Sequence, residues 1–91
     1  MTLVVYDISD DNLRNKVADV LKDFGMRRIQ KSAFIGRLTF EERKDLITLL
    51  KKKRLDENDR IDIFPICERD LKMHTGIVKG SVIHLSVKRT L

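Results

Sequence analysis

Asp7 is the residue whose position best suits chemistry, because this carboxylate follows a run of apolar and aromatic residues. Leu3-Val4-Val5-Tyr6 precedes it, and a carboxylate in such surroundings is costly unless it has a partner. The carboxyl end of a first strand, where the chain opens into a loop, is a frequent place for functional groups in open sheets. Two interpretations stay open: Asp7 caps the following turn or pairs with an arginine, or it belongs to a functional site.

A single carboxylate contributes to a magnesium site but does not complete one. Mg²⁺ prefers octahedral oxygen ligands and accepts one or two carboxylates together with water and substrate phosphate. In a symmetric dimer with Asp7 near the axis, two carboxylates would reach one ion, which could polarise a phosphodiester and generate hydroxide. Triad chemistry is not indicated, because Cys67 is predicted to lie in the core of an apolar strand and His84 on the polar face of a late strand. Metal-assisted hydrolysis is the chemistry that these residue types support.

Arginines supply the cations that a nucleic-acid backbone requires. Arg14 lies one turn into a predicted helix, Arg27 and Arg28 begin the next strand, and Arg37 ends the extended region. Arginine makes planar, two-pronged contacts with phosphate. A solvated surface role is the alternative for each of them. The basic run 51–54 also suits the negative end of a helix macrodipole, although four cations exceed what a helix end needs.

Tyr6 and Phe34 are the aromatic residues beside these candidates. Either ring could stack on a base, but core packing explains an aromatic residue at both positions equally well. Aromatic residues make up only 5% of the chain, which leaves few stacking platforms. The stretch from Ser32 to Gly36 also lacks the glycine and aromatic pattern of an RNA-recognition module, so that class is set aside.

Composition fits one small domain with a polyanionic partner. The chain has 91 residues, of which 42% are hydrophobic and 36% charged, enough for a thin core of two layers. The net charge of +5 favours binding to phosphates. No stretch approaches the ~20 apolar residues of a membrane-spanning helix, and the start does not resemble a signal peptide. One cysteine excludes an internal disulfide framework. We expect a soluble, cytoplasmic protein with residues 1–91 in a single domain.

The hydrophobic pattern predicts strands and helices in a β-α-β-β-α-β order. The predicted elements are a strand over 3–8, a helix between Ser9 and Gly25, an extended segment over 26–38, a helix over 39–54 and a strand over 61–66. The extended segment must supply two strands, so Lys31-Ser32 should form a tight turn or a bend. Thr39-Phe40-Glu41-Glu42 is typical of a capping box, and Pro65 places its strand at an edge or a bulge.

This order predicts the α+β class, with a ferredoxin-like βαββαβ sandwich that carries both helices on one face of the sheet. An extra C-terminal strand over 82–87 is one more than the fold needs. Its apolar residues alternate with His84 and Ser86. Such a strand often pairs with a second subunit, and a two-fold dimer would also cover the sheet face that has no helices. We therefore expect a homodimer in which 82–87 pairs with the partner subunit.

With these residues assembled, the chain resembles the CRISPR-associated Cas2 family, small metal-dependent nucleases of the spacer-acquisition machinery. Five stretches carry the resemblance and follow one another in the family's order and spacing. They are Tyr6-Asp7-Ile8, Asp10-Asp11-Asn12-Leu13-Arg14, Phe24-Gly25, the run from Arg28 to Gly36, and the run from Asp59 to Cys67.

The resemblance implies a homodimer in which Asp7 of each protomer binds one shared Mg²⁺. It implies that Tyr6, Arg14, Arg28 and Phe34 support substrate binding or cleavage. The implied activity is endonucleolytic hydrolysis of RNA or DNA in CRISPR spacer acquisition and antiviral defence. An implied partner is the Cas1 integrase, whose dimers a Cas2 dimer bridges. The alternative function is therefore a non-catalytic scaffold that binds nucleic acid, and a free-standing toxin ribonuclease remains a minor one.

Overall fold

A four-stranded antiparallel sheet forms the frame of the chain in a computed structural model that describes residues 1–85. Its strands are β1 (Thr2–Asp7), β2 (Arg27–Gln30), β3 (Ala33–Gly36) and β4 (Arg60–Pro65), in the order β2-β3-β1-β4. The longer helices are α1 (Asp11–Asp23), between β1 and β2, and α2 (Phe40–Lys51), between β3 and β4. The observed βαββαβ order and the α+β class confirm the prediction.

Strand β1 lies in the centre of the sheet because both of its edges are paired. It runs antiparallel to β3, with Val4 opposite Phe34, and antiparallel to β4, with Asp7 opposite Arg60. The short apolar run that predicted this strand is typical of a strand with two neighbours. Strand β4 lies at one edge of the four-stranded sheet, as Pro65 predicted.

Local capping signals fix the ends of both long helices. The Asp10 carboxylate accepts a hydrogen bond from the Leu13 N–H at 2.8 Å, and Gly25 after α1 has φ +78°, a conformation that favours glycine. At α2, the Thr39 hydroxyl accepts from the Glu42 N–H while the Glu42 carboxylate accepts from the Thr39 N–H. The predicted helix start and the predicted capping box are both confirmed.

Lys31-Ser32 forms the turn of a β2–β3 hairpin, so the extended segment does supply two strands. The pairing shifts between Arg28 and Gln30, and this irregularity leaves β2 as a short edge strand. The predicted interruption is therefore confirmed as a turn.

The core lies between the sheet and the two long helices. Helices α1 and α2 contribute their buried faces, and the sheet contributes one of its two sides. The buried cluster comprises Val4, Tyr6, Ile8, Val17, Ala18, Leu21, Met26, Phe34, Leu46 and Leu50. None of the helices within residues 1–85 has the length and apolar character needed to cross a membrane.

The C-terminal part differs from the prediction of one strand over 82–87. A short helix, α3 (Glu68–Leu71), precedes a separate hairpin of β5 (Gly76–Val78) and β6 (Ser81–Ile83). Lys79 and Gly80 between them both have positive φ, which is the requirement of a tight type I′ hairpin turn. Strand β6 thus begins one residue earlier than predicted, ends at Ile83 so that residues 84 and 85 are not in a strand, and pairs within the chain. Residues 86 and 87 of the predicted strand lie outside the described residues, and pairing with a partner subunit stays a prediction.

Candidate functional site

Tyr6 and Asp7 are neighbours in sequence but lie on opposite faces of the sheet. Successive strand residues point to alternate faces, and Thr2, Val4 and Tyr6 are buried whereas Val5 and Asp7 are exposed. We call the side with Thr2, Val4 and Tyr6 the helix face, because it packs in the core. The side with Leu3, Val5 and Asp7 is the Asp7 face.

The Asp7 carboxylate is exposed at the end of β1 and has no partner among residues 1–85. None of the side-chain ion pairs of this part of the chain includes it. Because water reaches the carboxylate, the desolvation cost that made its position notable in the sequence does not arise. The structure therefore shows an accessible carboxylate at Asp7 that does not cap the following turn, and its metal-binding role stays a prediction.

Two residues that sequence reasoning missed flank Asp7 on the same face. Arg60 lies opposite Asp7, and Asp62 lies opposite Val5. The Arg60 guanidinium donates from Nε to Asp62 Oδ2 at 2.7 Å and from Nη2 to Asp62 Oδ1 at 3.1 Å. These hydrogen bonds and the charge of Asp62 raise the pKa of Arg60 above its usual value. The spacing of 60 and 62 puts both on one face of a strand, but only the register with β1 shows that the face is that of Asp7.

Tyr6, Phe34 and Arg28 meet on the helix face. Their rings and guanidinium form a stack in which Phe34 is central: its ring centroid is 6.4 Å from that of Tyr6 and 5.0 Å from the Arg28 guanidinium carbon. Tyr6 is 3% exposed and Phe34 0%, so neither ring is accessible to a base in this conformation. Arg28 is exposed and is the member of the stack that a phosphate can reach. The roles that the resemblance implies for Tyr6 and Phe34 stay predictions.

The loop that follows Asp7 is held from two sides. Arg14 Nη1 donates to the Ile8 carbonyl oxygen at 3.1 Å, and its Nη2 pairs with Asp11. Across the loop, Asp59 accepts hydrogen bonds from the Ser9 N–H at 3.1 Å and from its hydroxyl at 3.2 Å. A backbone N–H of Asp56 and that of Ser9 lower the pKa of Asp59 below its usual value. Arg14, which the sequence predicted as a phosphate contact, is thus also a contact that fixes the loop.

The remaining basic candidates lie at other places. Arg37 pairs with Glu68 of α3. Lys16 and Arg54 line an open groove of about 310 Å³ between the start of α1 and the α2–β4 loop. Asp10, Asp56 and Asp59 line the same groove, so its three carboxylates outnumber its two cations and it is not a basic surface.

Cys67 is exposed and precedes the first turn of α3, so the prediction that it lies in a strand core is wrong. Backbone hydrogen bonding next to β1 continues to Ile66, which exchanges N–H···O bonds with Met1 at 2.8 and 3.1 Å. Cys67 lies beyond this pairing, at the N-cap of α3. His84 is exposed, as predicted, and its Nδ1 contacts the His74 carbonyl oxygen at 2.5 Å. Within residues 1–85 neither residue is arranged with a second group as a nucleophile and base.

One copy of the chain offers a lone carboxylate to a metal ion. Among the described residues there is no cluster of three or more His, Cys, Asp and Glu side chains that could hold a metal. A hard, exposed oxygen donor such as Asp7 fits Mg²⁺, which accepts few carboxylates and keeps several waters. The donor set therefore fits this ion if further oxygen ligands come from a second Asp7, water and phosphate.

The fold defines a small basic α+β domain with an exposed carboxylate at the end of its central strand. Residues 1–74 match the family model of the CRISPR associated protein Cas2. The chain is 60% identical over 78 residues to the CRISPR-associated endoribonuclease Cas2 of Korarchaeum cryptofilum, which covers 86% of this chain and 84% of that relative. The chain belongs to the Cas2 family, as the sequence resemblance predicted.

Two further relatives extend this comparison. The crystal structure of the hypothetical protein TT1823 from Thermus thermophilus has a TM-score of 0.67 and 30% identity, over 90% of this chain and 92% of that one. A Cas1/Cas2 endonuclease fusion of Thermoproteus tenax is 41% identical over 69 residues, which are 76% of this chain and 26% of the fusion. The first likeness extends the fold relationship to almost the whole chain, and the second joins the Cas2 domain to a Cas1 domain.

Proposed function

We propose that this chain is a Mg²⁺-dependent endonuclease of CRISPR spacer acquisition and antiviral defence. The observation that carries the proposal is Asp7: an exposed, unpaired carboxylate at the end of the central strand, opposite Arg60 in the neighbouring strand. When bound, Mg²⁺ supplies activation of water and stabilisation of charge on the phosphodiester. Asp7 of each of two copies would hold the ion, and the acidic ligand is all that each copy has to contribute.

The basic residues around the sheet would hold the substrate backbone. Arg28 presents its guanidinium over Phe34, and Arg14, near the start of α1, donates to the Ile8 carbonyl oxygen of the loop that follows Asp7. Tyr6 and Phe34 would support the site indirectly. The packing of Tyr6 fixes the strand that carries Asp7, and the Phe34 ring holds the guanidinium of Arg28. The names of the curated relatives, endoribonucleases, favour RNA as substrate. Duplex DNA is the other substrate that the proposal includes.

A homodimer is part of the proposal, because one copy leaves the site incomplete. Phe64 on the Asp7 face is 47% exposed, and Val5 beside it is also exposed. The β5–β6 hairpin adds four exposed apolar residues, Ile77, Val78, Val82 and Ile83. Apolar patches of this kind mark interfaces, and a two-stranded hairpin alone is marginally stable in water. A second copy on the Asp7 face would cover Phe64 and Val5 and bring the second Asp7, and the hairpin offers a further apolar surface for an interface.

Cleavage of labelled RNA and of duplex DNA, with Mg²⁺ and with EDTA, tests the activity. Asp7→Asn should lower Mg²⁺-dependent cutting by about 100-fold or more, since a metal site supplies several kcal/mol of stabilisation. Asp45→Asn, which removes an exposed carboxylate from α2, is the matched control and should cut like the wild type. Equal cutting by wild type and Asp7→Asn would remove the metal-site proposal.

Light scattering of Phe64→Glu tests the dimer. A charge in the proposed interface should convert the protein to a monomer at micromolar concentration and abolish cutting, because the two Asp7 residues separate. Phe40→Glu is the matched control: Phe40 is 64% exposed on α2, on the far side of the sheet, and its variant should stay dimeric. A wild-type protein that is already monomeric would contradict this part of the proposal.

A second candidate function is a non-catalytic scaffold that binds nucleic acid and Cas1 integrase. The net charge of +5 and the Cas1/Cas2 fusion favour it. A scaffold should bind duplex DNA with a log–log salt slope near −0.9 per phosphate contacted. Asp7→Asn should bind DNA and Cas1 as the wild type does. A dimer that binds neither would exclude the scaffold function, whatever its cutting activity.

A further inference from the structure

We infer that Asp62 is a positioning residue that keeps Arg60 away from Asp7, so that Asp7 stays free to bind a cation. The inference rests on the proposed metal role of Asp7, but its geometric part concerns the metal-free protein. It deepens the proposed function, because it explains how an acidic ligand persists beside a cationic side chain.

The register of the sheet places Arg60 where it should neutralise Asp7. The two residues are directly opposite each other in the antiparallel β1–β4 pair. Opposite residues have Cβ atoms about 4.5–5.5 Å apart, and opposite charges in that position attract. The long arginine side chain reaches across such a distance with ease. Without another partner, Arg60 would therefore pair with Asp7 and compete with any metal ion.

Asp62 keeps the Arg60 side chain away from Asp7 by pairing with it along β4, the strand that carries both residues. Residues 60 and 62 of one strand share a face, and both oxygens of Asp62 accept from the guanidinium, at 2.7 and 3.1 Å. A two-pronged contact of this kind is stronger and more directional than a single hydrogen bond. The guanidinium is thereby turned toward Asp62, and Asp7 has no ion pair within the described part of the chain.

The charge balance of this group also favours a cation. Asp7, Arg60 and Asp62 together carry one net negative charge, and the charge that is left without a partner is that of Asp7. Removal of Asp62 makes the group neutral and leaves Arg60 next to the metal ligand. A pair of substitutions that removes both Arg60 and Asp62 restores the original balance with Asp7 still free.

The Nε–Hε signal of Arg60 in an NMR spectrum of the metal-free full-length protein tests the geometry. In the wild type the Arg60 Hε should have the chemical shift of a hydrogen-bonded proton. The Asp7→Asn variant should show the same chemical shift. In Asp62→Ala the signal should move, and a further Asp7→Asn substitution should move it again, because Arg60 has turned to Asp7. An Asp62→Ala spectrum that is insensitive to Asp7→Asn would overturn the inference. Asp62→Asn, which keeps the shape of the side chain, repeats the measurement if the alanine variant is unstable.

Binding of Mn²⁺ as a probe ion, measured by calorimetry, tests the consequence. Asp62→Ala should weaken binding about threefold, the range of an exposed ion pair, and Arg60→Gln/Asp62→Ala should restore it. Asp45→Asn is the control for the loss of one distant carboxylate. Unchanged binding in Asp62→Ala, with Asp7→Asn reduced, would overturn the inference and leave the metal site intact. If instead Asp7→Asn binds Mn²⁺ like the wild type, the proposed metal site fails, and the metal-free spectra still decide whether Asp62 holds Arg60.

Discussion

The two faces of strand β1 have opposite properties although their residues alternate in the sequence. On the helix face, Tyr6 is packed against Phe34 and excluded from water. On the Asp7 face, Asp7 is exposed, and Phe64 and Val5 leave apolar surface uncovered. Two residues that are adjacent in the Tyr6-Asp7 motif are therefore a buried ring and an exposed carboxylate. Successive side chains of a strand point to opposite faces of the sheet, so two consecutive residues can have different surroundings.

The two faces divide the tasks of this small domain: the helix face forms the core, and the Asp7 face is accessible to solvent. A chain of this size has one core, so the side that builds it cannot also be accessible. Arg28 is the exception on the helix face, because its guanidinium lies over the buried Phe34 ring while remaining exposed. Substitutions on the helix face should thus change stability, and substitutions on the Asp7 face should change binding.

Phe34→Ala should have the largest effect on stability. Its ring is fully buried at the centre of the stack, and removal of a buried Phe side chain costs about 3–5 kcal/mol. That loss is a large part of the total stability of a small domain, which is about 5–15 kcal/mol. Urea denaturation followed by circular dichroism measures it.

Phe40→Ala is the matched control for this prediction. Phe40 is exposed on α2, near the cations of Arg43 and Lys44, and its loss should change the free energy of unfolding by less than about 1 kcal/mol. If Phe34→Ala unfolds like the wild type and yet loses nucleic-acid binding, the division between the two faces is wrong and Phe34 belongs to the site.

Tyr6→Phe should have the next largest effect, and its sign is the informative part. The Tyr6 hydroxyl is buried without a hydrogen-bond partner among residues 1–85, and such a group costs about 1–3 kcal/mol. Removing the hydroxyl should therefore raise the free energy of unfolding by about 1 kcal/mol, with cutting unchanged. Thermal unfolding and the cleavage assay measure both quantities. A stable variant with reduced cutting would assign the hydroxyl to catalysis, as the family resemblance implies.

Much of this architecture was predictable because its signals are local. The apolar run of β1, the Asp10 and Thr39 caps, and Gly25 each act within a few residues, and the structure confirms them. The order of the predicted strands and helices gave the βαββαβ class without any knowledge of contacts. The position of Asp7 at the end of the first strand was predictable for the same reason, because it is a local property.

The rest depends on register and on chain ends that local patterns do not determine. Arg60 and Asp62 are far from Asp7 in sequence, and only the pairing of β1 with β4 brings them beside it. The sequence also left open whether Tyr6 and Phe34 stack on bases. An aromatic residue can pack in the core or bind a base, and its type alone does not distinguish the two. The β5–β6 hairpin consists of strands of three residues, too short for a period to emerge, although Lys79-Gly80 is a recognisable turn.

Thr39→Ala sharpens the comparison at the edge of the core. The Thr39 hydroxyl and the Glu42 carboxylate exchange hydrogen bonds at the start of α2, and loss of such a cap costs about 1 kcal/mol. Because α2 packs on the helix face, the midpoint of urea denaturation should fall while Mn²⁺ binding to folded protein stays the same. Thr39→Ser keeps the hydroxyl and should retain most of the stability. A change in metal affinity would show that the two faces are coupled.

The smallest expected effect is the pH dependence that Asp59 contributes through the loop after Asp7. Its carboxylate accepts from the Asp56 and Ser9 N–H groups, which lowers its pKa in the folded state. A lowered folded pKa gives stability that is present above the unfolded value of about 3.9 and is lost as the pH falls through the folded value. Asp59→Asn should therefore flatten the fall in urea midpoint below about pH 4, whereas Asp45→Asn should not. Since Ser9 lies two residues after Asp7, an unchanged pH curve would mean that contacts that do not titrate near pH 4, such as that of Arg14 with Ile8, hold this loop without help from the charge of Asp59.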